Sequence, residues 1–81
     1  MLPKIVHVIP KPNYVLEVLF ENSEKREFSV MPYFKYTVYK PLENISFFNN
    51  VVVKYGTIVW GKDELIDFDP FTIYEEGKKL D

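Results

Sequence analysis

Hydrophobic and polar side chains alternate most regularly over residues 14–21. The large apolar side chains occupy every second position, at Tyr14, Leu16, Val18 and Phe20. Glu17 lies between them and therefore points to the opposite face of an extended chain. A period of two over this length is typical of a β-strand with one buried side.

Two further strands are predicted beside this one. Residues 4–9 form a β-branched run that ends at Pro10, followed by a turn over residues 10–13. Residues 26–30 alternate again after a polar loop over residues 22–24, which predicts a hairpin and a third strand antiparallel to the second.

The second half of the chain predicts a short helix, a hairpin and a final helical turn. Pro41 suits the first position of a helix over residues 41–48, with Asn49 and Asn50 as a left-handed stop. Residues 51–55 and 57–60 are β-rich and flank Gly56, which predicts a second hairpin.

The last helical turn follows residue 69. Asp69 suits the N-cap and Pro70 the first turn of a helix over residues 71–74, which Gly77 stops.

Together these elements predict an α+β fold. We expect a small antiparallel sheet of about five strands, in the order β-β-β-α-β-β-α, with short helices packed on one side. The predicted domain covers residues 1–76, and residues 77–81 are predicted to be a flexible C-terminal tail.

The order of these elements resembles the bacterial domain-of-unknown-function family DUF2442 over about residues 3–75. The more specific motifs are Gly-Thr-Ile-Val-Trp at residues 56–60 and Asp-x-Asp-Pro-x-Thr-Ile-Tyr at residues 67–74. The chain departs from the family pattern at Asn22-Ser23, where the family has Gly, and at residues 61–64, where it favours a Pro-Asn-Gly-like turn. The resemblance implies an α+β fold and a partner in a small two-gene module similar to toxin–antitoxin pairs.

Composition limits how so short a chain is stabilised. The 81 residues include no Cys and one His, so neither disulfides nor a zinc site of the usual N/S ligands is expected. Seven Phe, six Tyr and one Trp compensate, and Trp60 is predicted to anchor the core with its indole N–H bonded to a carbonyl. Neither a signal-peptide profile nor a membrane-length apolar run is present, so a cytoplasmic protein without membrane contact is expected.

Residues that could carry catalysis are scarce. His7 lies in the middle of a predicted strand, and the chain lacks both a nucleophile motif and a glycine-rich phosphate loop. Asp63, Glu64, Asp67 and Asp69 form the only acidic cluster. Capping by Asp69 and an Asx turn at Asp67 explain it better than a weak divalent-cation site. A non-enzymatic protein without a cofactor is expected.

The segment over residues 31–40 is rich in aromatic residues and suits neither helix nor strand. Tyr33, Tyr36 and Tyr39 are predicted to form a protein-binding surface, because tyrosine pairs an apolar body with a polar tip. A homodimer is one such partnership. The alternative is a nucleic-acid site built from Lys25, Arg26, Lys35 and Lys40, although a net charge of −2 argues against it.

Overall fold

The computed structural model describes residues 3–80, which contain seven β-strands and two short α-helices. The strands are β1 (Ile5–Lys11), β2 (Val15–Phe20), β3 (Lys25–Ser29), β4 (Val52–Lys54), β5 (Thr57–Trp60), β6 (Ile66–Phe68) and β7 (Lys78–Leu80). The α-helices are α1 (Ile45–Phe48) and α2 (Pro70–Glu76), and 3₁₀ segments cover Pro12–Tyr14, Met31–Tyr33 and Thr37–Glu43. Between residues 3 and 80, no helix is long and apolar enough to span a membrane.

The strands form two antiparallel sheets rather than one. The first has the order β1-β2-β3-β7 and the second the order β4-β5-β6. The α+β class, the antiparallel pairing and the five predicted strands are confirmed. Strands β6 and β7 were not predicted, because each has only three residues and shows too little alternation to be recognised.

One cluster of buried side chains joins both sheets and both helices. The predicted inner face of β2 is confirmed, since Leu16, Val18 and Phe20 are fully buried. The second sheet contributes Ile58, Trp60 and Phe68 to the same cluster. The two sheets are also tied at their edges, where the Ile5 backbone N–H donates to the Gly56 carbonyl at 2.9 Å.

The turn between β4 and β5 requires its glycine. Tyr55 and Gly56 both have positive φ, at 56° and 76°, as the two-residue loop of a type I′ hairpin demands. A Cβ atom on Gly56 would lie 2.9 Å from the Lys4 side chain. The predicted second hairpin is therefore confirmed, and its turn packs directly against the start of β1.

Trp60 anchors the second sheet as predicted. Its ring is 1% exposed and its indole N–H donates to the Phe48 carbonyl at 2.9 Å.

The helix predicted over residues 41–48 differs in the structure. Residues 37–43 are 3₁₀, and α1 starts afresh because the Asn44 side chain caps the Phe47 N–H at 3.2 Å. Asn49 has a φ of −69° and Asn50 does not have a positive φ either, so the predicted left-handed stop is absent.

The structure has a strand, Lys78–Leu80, where a flexible tail over residues 77–81 was predicted. Asp69 caps α2 as expected, accepting from the Phe71 N–H at 3.0 Å. Gly77 ends α2, and the chain then enters β7, which pairs antiparallel with β3 from Lys78 opposite Glu27 to Leu80 opposite Lys25. The sheet therefore extends to Leu80, while Asp81 lies outside the described residues.

A polar network around Glu24 secures this C-terminal pairing. The Glu24 carboxylate accepts from Arg26 Nη2 at 2.7 Å and from the Tyr74 hydroxyl of α2. Lys79 Nζ lies 3.9 Å from the same carboxylate. The hydrogen bond from Tyr74, aided by Arg26 and Lys79, outweighs burial and lowers the pKa of Glu24 below its ordinary 4.5. One carboxylate thus joins the first hairpin to α2 and β7.

We expect Gly77→Ala to weaken β7 and destabilise the protein by about 1–3 kcal/mol. An added Cβ would lie 2.5 Å from the Ile73 carbonyl oxygen and 3.1 Å from Arg26 Cβ, so the chain after α2 has to shift. Urea unfolding and amide exchange at Leu80 measure the effect. Glu75→Ala, at an exposed position of α2, is the control and should change neither reading. An unchanged Leu80 exchange rate in Gly77→Ala would contradict this account of the strand.

We expect Glu24→Gln to lower stability at pH 7 and to matter progressively less in acid. Because folding lowers the pKa of Glu24, its contribution is present above the unfolded value and is lost as pH falls through the folded value. The difference in unfolding midpoint from the wild type should therefore shrink below about pH 4.5. Glu75→Gln serves as the control. A difference that stays constant between pH 7 and pH 3 would rule out this role for the ionised carboxylate.

Candidate interaction groove

The aromatic segment over residues 31–40 connects β3 to the helical region before β4 and packs its rings against the second sheet. Two 3₁₀ segments, Met31–Tyr33 and Thr37–Glu43, carry the chain from β3 towards α1. The Tyr33 and Tyr39 rings lie 5.0 and 4.5 Å from the Phe68 ring of β6, between ring centroids. The segment is thus held by the core even though it lacks a strand or an α-helix.

The structure divides the three predicted tyrosines into two kinds. Tyr39 stacks on Phe68 with an interplanar angle of 8°, and its hydroxyl donates to the Asp67 carbonyl at 3.4 Å. Tyr33 is also partly buried, with its edge against Phe68. Tyr36 leaves 49% of its surface exposed, and its ring lies 6.2 Å from that of Tyr33 between centroids. Of these three tyrosines, Tyr36 is therefore the most accessible to a partner.

A groove of about 380 Å³ opens beside Tyr36 and includes Tyr33. We call it the tyrosine groove, and it is lined by Phe28, Ser29, Pro32, Tyr33, Lys35, Tyr36 and Glu76. Its walls come from the end of β3, the 3₁₀ segment Met31–Tyr33 with the residues that follow it, and the last turn of α2. Three parts of the chain that are distant in sequence thus meet at one surface.

The groove carries one acidic and one basic side chain beside its rings. The Tyr33 hydroxyl donates to Glu76 Oε1. Burial, together with the hydrogen bond and negative charge of Glu76, raises the pKa of Tyr33 to about 12, so the phenol keeps its proton at neutral pH. Lys35 Nζ lies 5.3 Å from the centroid of the Tyr36 ring, within range of a cation–π contact. The groove therefore offers aromatic faces, a carboxylate and an ammonium group.

The four basic residues of the nucleic-acid alternative make different contacts. Arg26 bonds Glu24 and covers the Tyr74 ring at 4.4 Å, so its charge is already paired. Lys40 Nζ donates to the Phe34 carbonyl at 3.1 Å. Lys25 is exposed on β3, and only Lys35 lines the tyrosine groove. Contact with phosphate through Arg26 would require its ion pair to open.

The remaining candidate residues have structural settings. Among residues 3–80, no three or more His, Cys, Asp or Glu side chains group in a way that could hold a metal ion. Asp69 caps α2, Glu64 pairs with Lys54 at 2.7 Å, and Asp67 lies in β6 rather than in the predicted Asx turn. His7 lies in β1, as predicted, and its side chain is exposed.

Sequence reasoning found Tyr33, Tyr36 and Lys35 but missed the other half of the groove. The sequence places Glu76 just beyond the predicted helix over residues 71–74 and Ser29 in the third predicted strand, and nothing in the pattern indicates that they meet. The contact between Tyr33 and Glu76 spans 43 positions and depends on how α2 docks against β3. No local pattern reports such a contact.

We expect Tyr39→Ala to destabilise the protein by about 2–4 kcal/mol and Tyr36→Ala by less than about 1 kcal/mol. Tyr39 loses its stacked contact with Phe68, whereas Tyr36 is half exposed. Urea unfolding followed by Trp60 fluorescence provides both values. Equal losses for the two variants would contradict the division of the tyrosines into structural and accessible residues. Only Tyr36→Ala is consequently suited to test binding.

Comparison with known proteins identifies the family. The profile of the family described as a protein of unknown function, DUF2442, matches residues 5–79. No match was found among curated proteins or among solved structures. The matched range covers nearly all of the 81 residues and includes every element that forms the tyrosine groove. The chain belongs to family DUF2442.

Proposed function

We propose that this protein is a non-enzymatic interaction module and that its partner protein binds at the tyrosine groove. The observation that carries the proposal is the position of Tyr36, a half-exposed ring at the rim of a groove whose floor is fixed to the core through Tyr33 and Phe68. Tyrosine contributes a large contact area at little cost in side-chain entropy, which is why it is enriched in interfaces. A ring supported in this way is suited to act as an anchor for a partner.

The charges of the groove add a means of selecting the partner. Glu76 and Lys35 both line the groove. A partner segment with complementary charges is favoured there, and a segment with the opposite arrangement is repelled. The proposed partner is another protein of a small bacterial two-gene pair, of regulatory or antitoxin-like kind, and the proposed location is the cytoplasm. Neither point rests on the groove: the kind of partner rests on the resemblance to DUF2442, and the location on the expectation drawn from the sequence.

The test is capture of the partner from the native cell extract by the tagged protein. A single stoichiometric protein other than this chain should be retained after nuclease treatment, and Tyr36→Ala should weaken its binding at least about tenfold. Tyr55→Ala is the matched control, since Tyr55 is 85% exposed but lies in the β4–β5 turn outside the groove. A partner that Tyr36→Ala and wild type retain equally would refute the proposed surface.

The nuclease step separates this proposal from nucleic-acid binding. The observation that favours the latter is the pairing of Lys35 with the accessible ring of Tyr36, since a cation beside an exposed ring suits a single-stranded base. Retained material that disappears on nuclease treatment, with affinity falling steeply as salt rises, would replace the protein partner by nucleic acid.

A further inference from the structure

The loop between β5 and β6 exposes a leucine to solvent and contains a residue with a strained backbone conformation. Leu65 leaves 77% of its surface exposed. The preceding residue, Glu64, has a φ of +55°, a region that side chains other than glycine rarely adopt. Its carboxylate pairs with Lys54 Nζ at 2.7 Å, which helps to hold the loop in place. Strain that persists in a folded protein often marks a working surface.

A small apolar pocket lies directly beside Leu65. Its volume is about 210 Å³, which exceeds that of one leucine side chain. It is lined by Pro41, Phe47, Trp60, Gly61, Lys62, Asp63, Leu65 and Ile66. Trp60 and Ile66 belong to the core, so the pocket has a rigid floor. The same surface thus bears a projecting apolar side chain and a cavity that fits one.

The rim of the pocket carries two opposite charges on adjacent residues. Lys62 and Asp63 are exposed and line the pocket. Neither takes part in the three ion pairs formed within residues 3–80. An exposed positive and an exposed negative group, next to a projection and a cavity, make this surface complementary to itself.

We propose that this surface, the Leu65 surface, binds a second copy of the chain about a two-fold axis. In such an interface each feature of one copy meets its complement on the other. Leu65 of each copy enters the pocket of the other, and Lys62 of each copy lies opposite Asp63 of the other. A second copy supplies the complement of all four features: the projecting leucine, the pocket and the two charges. The Leu65 surface shares no lining residue with the tyrosine groove.

Sedimentation equilibrium on the full chain tests the proposal, from about 5 μM to about 500 μM. The wild type should approach twice the 9.7 kDa mass of one chain. Leu65→Asp should raise the dimer dissociation constant at least about tenfold, as loss of a central apolar anchor does. Lys62→Asp and Asp63→Lys should each weaken the dimer, because each places like charges opposite one another at both ends of the interface.

The charge exchange distinguishes this interface from any other. The double variant Lys62→Asp with Asp63→Lys restores opposite charges across the two-fold axis and should recover the dissociation constant to within about threefold of wild type. Tyr55→Asn is the control, since it removes a ring that is 85% exposed at a positive-φ position that asparagine tolerates. It should leave the dimer unchanged. All of these side chains are exposed, so each variant should fold like the wild type. An unfolding midpoint equal to that of the wild type at low concentration checks this.

Three results would overturn the proposal. A chain that stays monomeric across the whole concentration range would exclude the dimer. A dimer unaffected by Leu65→Asp would place the interface elsewhere. A double variant as weak as the single variants would exclude the pairing of Lys62 with Asp63 across the axis.

Discussion

The ring of Phe68 is the contact on which most of this structure depends. Four other rings surround it, with centroids between 4.5 and 6.0 Å away: Phe28, Tyr33, Tyr39 and Trp60. They come from the first sheet, the connecting 3₁₀ segments and the second sheet. A short chain without disulfides buries only part of its surface, so large rings that each meet several neighbours supply much of its cohesion. Phe68 is thus the point at which two small sheets become one core.

This arrangement explains why the irregular segment over residues 31–43 is ordered. Its backbone forms only short 3₁₀ turns, which contribute little stability by themselves. Tyr33 and Tyr39 fix the segment by packing on Phe68, and Tyr36, which lies between them, is left at the surface. The accessible ring of the tyrosine groove is therefore positioned by two neighbours that the core requires. Three tyrosines that look equivalent in the sequence therefore have different roles. Tyr33 and Tyr39 stabilise the fold, and Tyr36 is the residue proposed to contact the partner.

The sequence predicts local structure well and assembly poorly. Alternation in β2, the Asp69 cap and the Gly56 turn report interactions within a few residues, and the structure confirms each of them. Strand β7 forms because Glu24 and Arg26 draw the chain after Gly77 onto β3, across about fifty positions. The division into two sheets likewise depends on which strands pair along their edges in the folded chain. Such choices are made by tertiary contacts, which alternation and propensity do not encode.

The same distinction applies to the two candidate binding surfaces. The tyrosine groove was half visible in the sequence because three tyrosines stand close together, whereas Glu76 reaches it only through the docking of α2. The Leu65 surface was not visible, because its pocket needs Pro41, Phe47 and the β5–β6 loop to meet. If both surfaces act as proposed, one dimer presents two grooves with a fixed separation. A partner with two binding segments could then engage both, and its apparent affinity would exceed that of either groove alone without any new contact. Self-association would in that case set the strength of partner binding.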